Sequence, residues 1–189
     1  MKIIEQVFSM NKMYVISDNQ YFNLGVLGIL KKNVIVINPQ DILDRTKGLD
    51  GGICFVYIRD RDLHYRLCYS FRNALCKFIF FLPNMQCVME PAILHHFWPA
   101  TLDTLTFQER TSKISHDFNL TLTPSRLRLI NNLSQGIVYY TCWIRKRCNN
   151  PKTIHNHYRD IIKAAGIYGV SVHNLFLSEY IAVSYMVII

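Results

Sequence analysis

The sequence predicts two domains: an α/β domain with a doubly wound parallel sheet over residues 1–115, and an all-α domain of four helices over residues 122–189. Short apolar runs alternate with longer mixed segments in the first part, whereas only helical patterns follow in the second. Repeated strand–helix units are typical of a parallel sheet with helices on both faces. Between the two parts, at residues 116–121, the apolar pattern lapses, and these residues are the predicted linker.

Five strands are predicted from short apolar runs, because strands that are covered on both faces lose the alternation of apolar and polar residues. The runs are YVIS (14–17), VIVIN (34–38), ICFVYI (53–58), KFIFFL (77–82) and AILHHF (92–97). The segments between them are longer and mixed in character, and several can form helices. Successive runs are therefore predicted to form strand–helix–strand units.

Four helices are predicted in the second domain, at residues 124–135, about 140–147, 151–165 and about 172–185. Thr123 can cap the first of these helices, Pro124 suits its first position, and Gly136 can end it. An Asn-Asn-Pro turn separates the second helix from the third. Two short helices, a tight turn and a capped helix form a helix-turn-helix arrangement, in which the last helix enters the major groove of DNA.

The third of these helices, over residues 151–165, has mutually consistent end signals. Asn150 can cap it, Pro151 suits its first position, and Gly166 can close its C-terminus. Its apolar residues, which recur at steps of three and four, are Ile154, Tyr158, Ile161, Ile162 and Ala165. Such a stripe is typical of a helix that packs one side against a core.

The opposite side of this helix is basic, and Asp160 is the one acidic residue in the helix. Its residues are Lys152, His155, Asn156, Arg159 and Lys163. Asn can bind adenine edges, Lys or Arg can bind guanine or phosphate, and a helix fits the major groove. Two interpretations stay open at this point, a DNA-binding helix and a solvated surface helix, because surface helices commonly sort their charges.

The formal net charge of +8 is unevenly distributed along the chain. Residues 1–119 contain 13 Lys and Arg against 11 Asp and Glu, whereas residues 120–189 contain 8 against 2. A positive surface attracts phosphate backbones, and it also suits an anionic membrane surface. The second part is therefore expected to face a polyanion.

Neither a disulfide framework nor a metal site is indicated by the six cysteines, which form no CxxC pair and no zinc spacing with His. Reduced thiols in a cytoplasmic protein are expected. Glu5 interrupts the apolar portion of the N-terminal stretch, which therefore does not resemble a signal peptide. The apolar ending is interrupted by Glu179, is too short to span a membrane, and is interpreted as a packed or dimerising helix. We find no glycine-rich phosphate loop or nucleophile motif, so neither an enzyme nor a cofactor is expected.

The second domain resembles the LuxR/FixJ (NarL-type) four-helix DNA-binding domain of bacterial transcription regulators. The stretches that carry the resemblance are LTPSRLRLINNLSQG (122–136), which matches the first helix of that family, and PKTIHNHYRDIIKAAGI (151–167), which matches its recognition helix. The resemblance implies that the fourth helix, here at about 172–185, forms a dimer contact. It also implies a homodimer or a heterodimer with another regulator, bound to double-stranded promoter DNA.

The resemblance also implies a set of DNA-binding residues. His155, Asn156 and Arg159 match the positions that face the groove, and Lys152 and Thr153 match positions near the phosphates. The predicted set is completed by Lys163, Arg145 and Lys146. Three departures favour an alternative in which the protein pairs with another regulator and binds little DNA itself. Arg126 replaces the usual glutamate, the span from Gly136 to Thr153 is one residue longer, and Trp143-Ile144 stands where the family has an Ile-Ala pair.

The first domain is similar to a response-regulator receiver domain, with YVISDNQYFNLGVLGIL (14–30) at the position of the first strand and helix. A working receiver needs an acidic pair, an acceptor aspartate, a Thr or Ser, and a lysine. The corresponding positions here are Ser17-Asp18, Tyr57-Ile58, Leu82 and His95. Without those groups, control by phosphorylation is not expected.

Three receiver-related details stay open. Asp60 or Asp62 could accept phosphate only if the third strand ended about three residues later than predicted. Asp18 is either a metal ligand or the cap of a helix that starts at Asn19. His95 and His96 are expected to be core or interface residues, because neighbours on a strand face opposite sides and do not share a ligand geometry easily. The combined hypothesis is a cytoplasmic, sequence-specific DNA-binding regulator that does not depend on phosphorylation.

Overall fold

The computed structural model describes residues 12–31, 34–44, 49, 51–72, 74–82, 89, 91, 93–114, 124, 127–128, 150–169 and 171–188. The strands in this part of the chain are β1 (Met13–Ser17), β2 (Val34–Ile37), β3 (Ile53–Tyr57), β4 (Lys77–Leu82) and β5 (Phe97–Pro99). They form one parallel sheet in the order β2-β1-β3-β4-β5. This order is common in doubly wound folds. The predicted α/β class is therefore confirmed and is compatible with a receiver-like domain.

The helices in the described part of the chain follow the strands in alternation and then continue beyond them. They are α1 (Gln20–Leu30), α2 (Pro39–Asp44), α3 (Arg61–Phe71), α4 (Thr104–Ser112), α5 (Pro151–Ala164) and α6 (Val172–Ile188). The side chains of Asn19, Asp60 and Asp103 accept hydrogen bonds from amides in the first turns of α1, α3 and α4. Each such cap contributes about 1 kcal/mol to helix stability.

Alternate residues of each central strand point into two different cores, because successive side chains of a strand face opposite sides of the sheet. In β3, Phe55 joins a core with Val26 of α1 and Phe107 of α4. Its neighbour Val56 joins the other core, which includes Leu67 of α3. Helices α1 and α4 therefore cover one face of the sheet, and α3 lies on the other.

The last helix, α6, packs on the same face as α3. It contacts both α3 and β4, and its residues Leu177, Ile181 and Tyr185 are buried in the core that contains Phe97 of β5. The rings of Tyr185 and Phe97 meet edge to face, with centroids 5.7 Å apart. Of the two interpretations of the apolar ending, the packed helix is confirmed. The implied dimer contact of this helix stays a prediction.

A separate all-helical domain is not confirmed by the described residues. Of the predicted helix at 124–135, only positions 124, 127 and 128 are described, and all three are helical. The predicted helix at 140–147 and the linker at 116–121 lie outside the described residues. Helices α5 and α6 share a core with the sheet, so these elements form one packed body. No helix in that part is long and apolar enough to cross a bilayer.

The fifth strand begins later than predicted. Within the predicted run, Ile93–His95 form a 3-10 helix, a turn follows at His96, and β5 starts only at Phe97. The amide of Leu94 donates to the carbonyl of Pro91 at 3.1 Å, which closes a turn at the start of this 3-10 helix. His96 is nevertheless a core residue, as predicted: it is buried, and its Nδ1 lies 3.1 Å from the carbonyl oxygen of Phe78.

The packing of α6 predicts a large loss of stability when its buried face is truncated. Ile181 is 0% exposed, so Ile181→Ala should lower the free energy of unfolding by about 2–5 kcal/mol, because it removes apolar burial and leaves a cavity. Urea unfolding followed by tryptophan fluorescence and by circular dichroism measures the change.

Phe176 supplies the matched control on the same helix, since its side chain is 51% exposed. Phe176→Ala should cost less than about 1 kcal/mol. Equal losses for the two variants would contradict the packing. So would a loss in Ile181→Ala that is confined to a separate unfolding transition, because α6 and the sheet share one core.

Candidate nucleic-acid interface

Local sequence signals define both ends of helix α5. Asn150 is its N-cap, and the side-chain oxygen accepts a hydrogen bond from the amide of Lys152 at 2.9 Å. Gly166 follows the helix with a φ of 73°, a left-handed conformation that glycine adopts without steric cost. The amide after Gly166 then donates to the carbonyl of Ile162 at 3.1 Å. The caps predicted from the sequence are confirmed.

One side of α5 is anchored in the core. Ile161 and Ile162 are buried, and Ile154 and Tyr158 pack against the same core while remaining half-buried. These residues belong to the apolar stripe that the sequence predicts. Their burial fixes the rotation of the helix about its axis and so determines which residues face solvent.

The other side of α5 carries a basic row that consists of Lys152, His155, Arg159 and Lys163, all of them exposed. The row extends about 16 Å along the helix, at a rise of about 1.5 Å per residue. Asp160 is exposed beside it. Among the described residues, no ion pair involves a member of the row. Its positive charge therefore faces solvent.

The remaining predicted DNA-binding residues divide into two groups. Thr153 is exposed in the first turn of α5, and Asn156 is half-buried. Arg145 and Lys146 lie outside the described residues, as does the predicted helix that contains them. The structure thus brings six of the eight predicted residues onto α5, and the helix-turn-helix geometry stays a prediction.

The turn after α5 is held by a side chain that the sequence interpretation missed. Asn174 donates from Nδ2 to the carbonyls of Tyr168 at 3.3 Å and Gly169 at 2.8 Å. Ile167, in the same turn, pairs with Met89 in an antiparallel bridge. The available signal was the position of Asn174 near the start of an apolar helix, where polar side chains often bond to nearby backbone. These contacts set the direction of α5 relative to α6.

At the carboxyl edge of the sheet, Asp18 joins two loops. Its Oδ2 accepts hydrogen bonds from the amides of Arg59 at 2.9 Å and Asp60 at 3.0 Å. The interpretation of Asp18 as the cap of α1 is wrong, because Asn19 performs that role: its Oδ1 accepts from the amide of Tyr21 at 2.9 Å. Asp18 therefore connects the end of β1 to the loop after β3.

The third strand ends where the sequence predicts. β3 stops at Tyr57, so the later end that would have made Asp60 or Asp62 a phosphate acceptor is not observed. Asp60 instead caps α3, and its Oδ1 accepts from the amide of Leu63 at 2.8 Å. Asp62 lies exposed in the first turn of the same helix.

Polar side chains also connect α3 to α6 beneath this edge. Arg61 forms an ion pair with Glu179, whose side chain is only 5% exposed. His64 is buried, with Nε2 3.1 Å from Ser184 Oγ, and its ring centroid lies 3.7 Å from that of Tyr180. Burial lowers the pKa of His64 to about 3 and raises the pKa of Tyr180.

Sequence interpretation missed this α3–α6 contact. The one available signal was Glu179, a carboxylate inside an apolar ending. Such a residue is rarely buried without a partner, but nothing in the sequence identifies Arg61 as that partner. The described cysteines, Cys54, Cys68 and Cys76, form no disulfide bond with one another.

Fold and surface together define an α/β protein whose doubly wound sheet supports an exposed basic helix. Protein-family models, curated proteins and solved structures were each compared with this chain, and none matches it. The resemblances to LuxR/FixJ regulators and to receiver domains therefore stay predictions.

Burial of His64 predicts a loss of stability in acid. The pKa is about 3 in the folded protein and about 6.5 in the unfolded chain, so between these values the unfolded chain binds more protons. The free energy of unfolding should therefore fall as the pH falls through this window, with a contribution from His64 of about 2 kcal/mol at pH 5. Urea unfolding at a series of pH values measures it.

A variant pair separates His64 from other titrating groups. In His64→Gln the slope of stability against pH should decrease, although His96, whose pKa burial also lowers, should preserve part of it. His155→Gln is the control, because His155 is exposed on α5, and its slope should equal that of the unaltered protein. An unchanged slope in His64→Gln would show that His64 is not buried in its neutral form.

Proposed function

We propose that this chain is a sequence-specific DNA-binding transcription regulator of the bacterial cytoplasm, and that α5 enters the major groove of promoter DNA. The observation that carries the proposal is the basic row of α5, which is exposed while the opposite side of the helix is fixed in the core. The major groove is about 12 Å wide and accepts a helix whose side chains contact base edges and phosphates.

The exposure of each side chain suggests its role on DNA. Arg159 and His155 are exposed near the middle of the row and are the best placed to reach base edges. Asn156 is half-buried, so we assign it a smaller share of base contact. Lys152 and Lys163 lie towards the two ends of the helix and fit phosphate contacts, which give affinity without sequence preference. Thr153 joins Lys152 at the phosphates.

Charge along the chain supports the same proposal. Residues 120–189 contain 8 Lys and Arg against 2 Asp and Glu, and one of those two acids, Glu179, is already paired with Arg61. An excess of positive charge of this kind speeds the approach to a polyanion.

Regulation in this proposal does not use phosphorylation of the sheet domain. β3 ends at Tyr57 without a carboxylate, and the carboxylate of Asp18 already accepts two backbone amides. Leu82 and His95 hold the positions where a receiver needs a hydroxyl and a lysine. A phosphoryl group at this edge would lack both its acceptor and the groups that respond to it.

A second candidate function is pairing with another regulator, with little DNA binding by this chain. The observation that favours it is a pair of adjoining helices with exposed apolar side chains. Tyr21 and Leu24 of α1 are 86% and 66% exposed, and Leu105 of α4 is 77% exposed. Helices α1 and α4 touch each other on one face of the sheet. Exposed apolar groups of this size suit a protein partner.

The first test is selection of DNA from a random-sequence duplex library at two salt concentrations. We expect an enriched sequence motif, with affinity that falls as salt rises. In Arg159→Ala, affinity for the motif should fall by about 1–3 kcal/mol with relaxed preference at the contacted base pair. In Lys163→Ala, binding should weaken equally for all DNA sequences. The slope of log affinity against log salt concentration should become smaller in magnitude by about 1.

Arg66→Ala is the control for loss of one positive charge, since Arg66 is exposed on a different helix, α3, and is not a member of the basic row. Its affinity and sequence preference should equal those of the unaltered protein. The proposal would be contradicted if the protein retained DNA only weakly, without sequence preference and equally in all three variants. Selection of a motif only when a second regulator is added would favour the pairing function.

A further inference from the structure

A pocket of about 330 Å³ lies at the β5 edge of the sheet, between the 3-10 helix and the end of α4. Its size is at the lower end of the range for small-molecule sites, which is roughly 300–1,000 Å³. α4 covers the face of the sheet opposite to α5 and α6. The pocket is therefore separate from the proposed DNA interface.

Three cationic side chains reach this pocket from different parts of the fold. Lys77 is the first residue of β4, and Arg110 and Lys113 come from the C-terminal end of α4. Glu109 pairs with Lys113 at 2.5 Å, and both side chains are largely exposed. Among the lining residues that the structure describes there are these three cations and no carboxylate, and Glu109 offsets part of their charge.

His96 follows the lining residue His95 in the chain and is not itself part of the lining. Burial lowers its pKa, and the neighbouring charges of Lys77 and His95 lower it further, against a backbone hydrogen bond to Phe78 that raises it. Lys77 and His95 both line the pocket. The direction of this pKa shift agrees with the cationic lining of the pocket.

The rest of the lining is apolar. Leu94 and Ile114 are half-buried and form part of the wall, and Trp98 closes the pocket from the core. Cations beside exposed apolar surface suit a ligand that has both an anionic group and an apolar body. A space of this size holds roughly ten to fifteen non-hydrogen atoms, given about 30 Å³ for each water molecule in the liquid.

We propose that this pocket binds a small amphipathic organic anion, with a carboxylate or phosphate group held by Arg110, Lys77 and Lys113 and an apolar body against Leu94 and Ile114. Arg110 supplies a planar fork of donors that matches such oxyanions. Binding here does not depend on DNA binding by α5, so either proposal can fail without the other.

The test is isothermal titration calorimetry of the full chain with phenyl phosphate, benzoate, inorganic phosphate and benzyl alcohol. Phenyl phosphate or benzoate should bind saturably at one site. Inorganic phosphate, which lacks the apolar body, should bind at least about tenfold more weakly, and benzyl alcohol, which lacks the charge, should not bind detectably.

Two charge variants and one apolar variant examine the assigned contacts. Arg110→Gln and Lys113→Glu should each lower the affinity for the organic anion by at least about tenfold, as expected for loss of a charge-assisted contact. Ile114→Ser should lower the affinity for the organic anion and leave the affinity for inorganic phosphate unchanged. Arg66→Gln, on the other face of the sheet, should bind like the unaltered protein. Circular dichroism and urea unfolding of each variant verify that it is folded.

The emission of Trp98 gives a second readout that needs no heat signal. In a Trp143→Phe background Trp98 is the one remaining tryptophan, and its emission should change on titration with phenyl phosphate. The proposal is overturned if no organic anion gives a saturable signal by either method. It is also overturned if folded Arg110→Gln and Lys113→Glu bind as tightly as the unaltered protein, or if inorganic phosphate binds as tightly as phenyl phosphate.

Discussion

Helix α6 lies along α3 and β4, with an apolar core over most of its length and polar contacts at the carboxyl edge of the sheet. The apolar part supplies the stabilisation, since each large side chain that is fully buried contributes about 1.5–3 kcal/mol. The pair of Arg61 and Glu179 adds little net energy, because removing Glu179 from water offsets much of the attraction. It does restrict where α6 can lie, since a shift of the helix would separate the buried carboxylate of Glu179 from Arg61. The direction of α5, and hence its exposed basic row, depends on this placement through the turn held by Asn174.

Sequence patterns predicted the features that depend on neighbouring residues. The first four strands and the ends of α5 are confirmed, because continuous apolar runs, proline at a first helical position and a closing glycine act within a few residues. The fifth strand was misplaced because a short apolar run after Pro91 fits a 3-10 turn as well as a strand. The contact of His64 with Ser184 joins residues 120 positions apart, and no local periodicity encodes it. The same holds for Asp18, whose bonds to the loop after β3 replaced the local cap that its position suggested.

The carboxyl edge of a doubly wound sheet is the usual ligand site of such folds. Here the carboxylates at that edge already accept hydrogen bonds from backbone amides. Asp18 joins two loops, Asp60 caps α3, and the ring of Tyr180 lies against His64 beneath them. Regulation of the protein by a ligand at this edge would require these hydrogen bonds and ring contacts to break before the ligand could bind. The basic pocket at the β5 edge differs, because its cations line a space of about 330 Å³.

The position of α6 in the chain has a consequence for synthesis. The strands it covers, up to Pro99, leave the ribosome well before residues 172–188 are made. During that interval Phe80 and Phe97, both fully buried in the finished protein, lack the helix that shields them from water. Nascent chains with uncovered apolar surface are prone to misassociate. The efficiency of production in the cell should therefore depend on the speed of translation between the two segments and on chaperones that shield the nascent sheet.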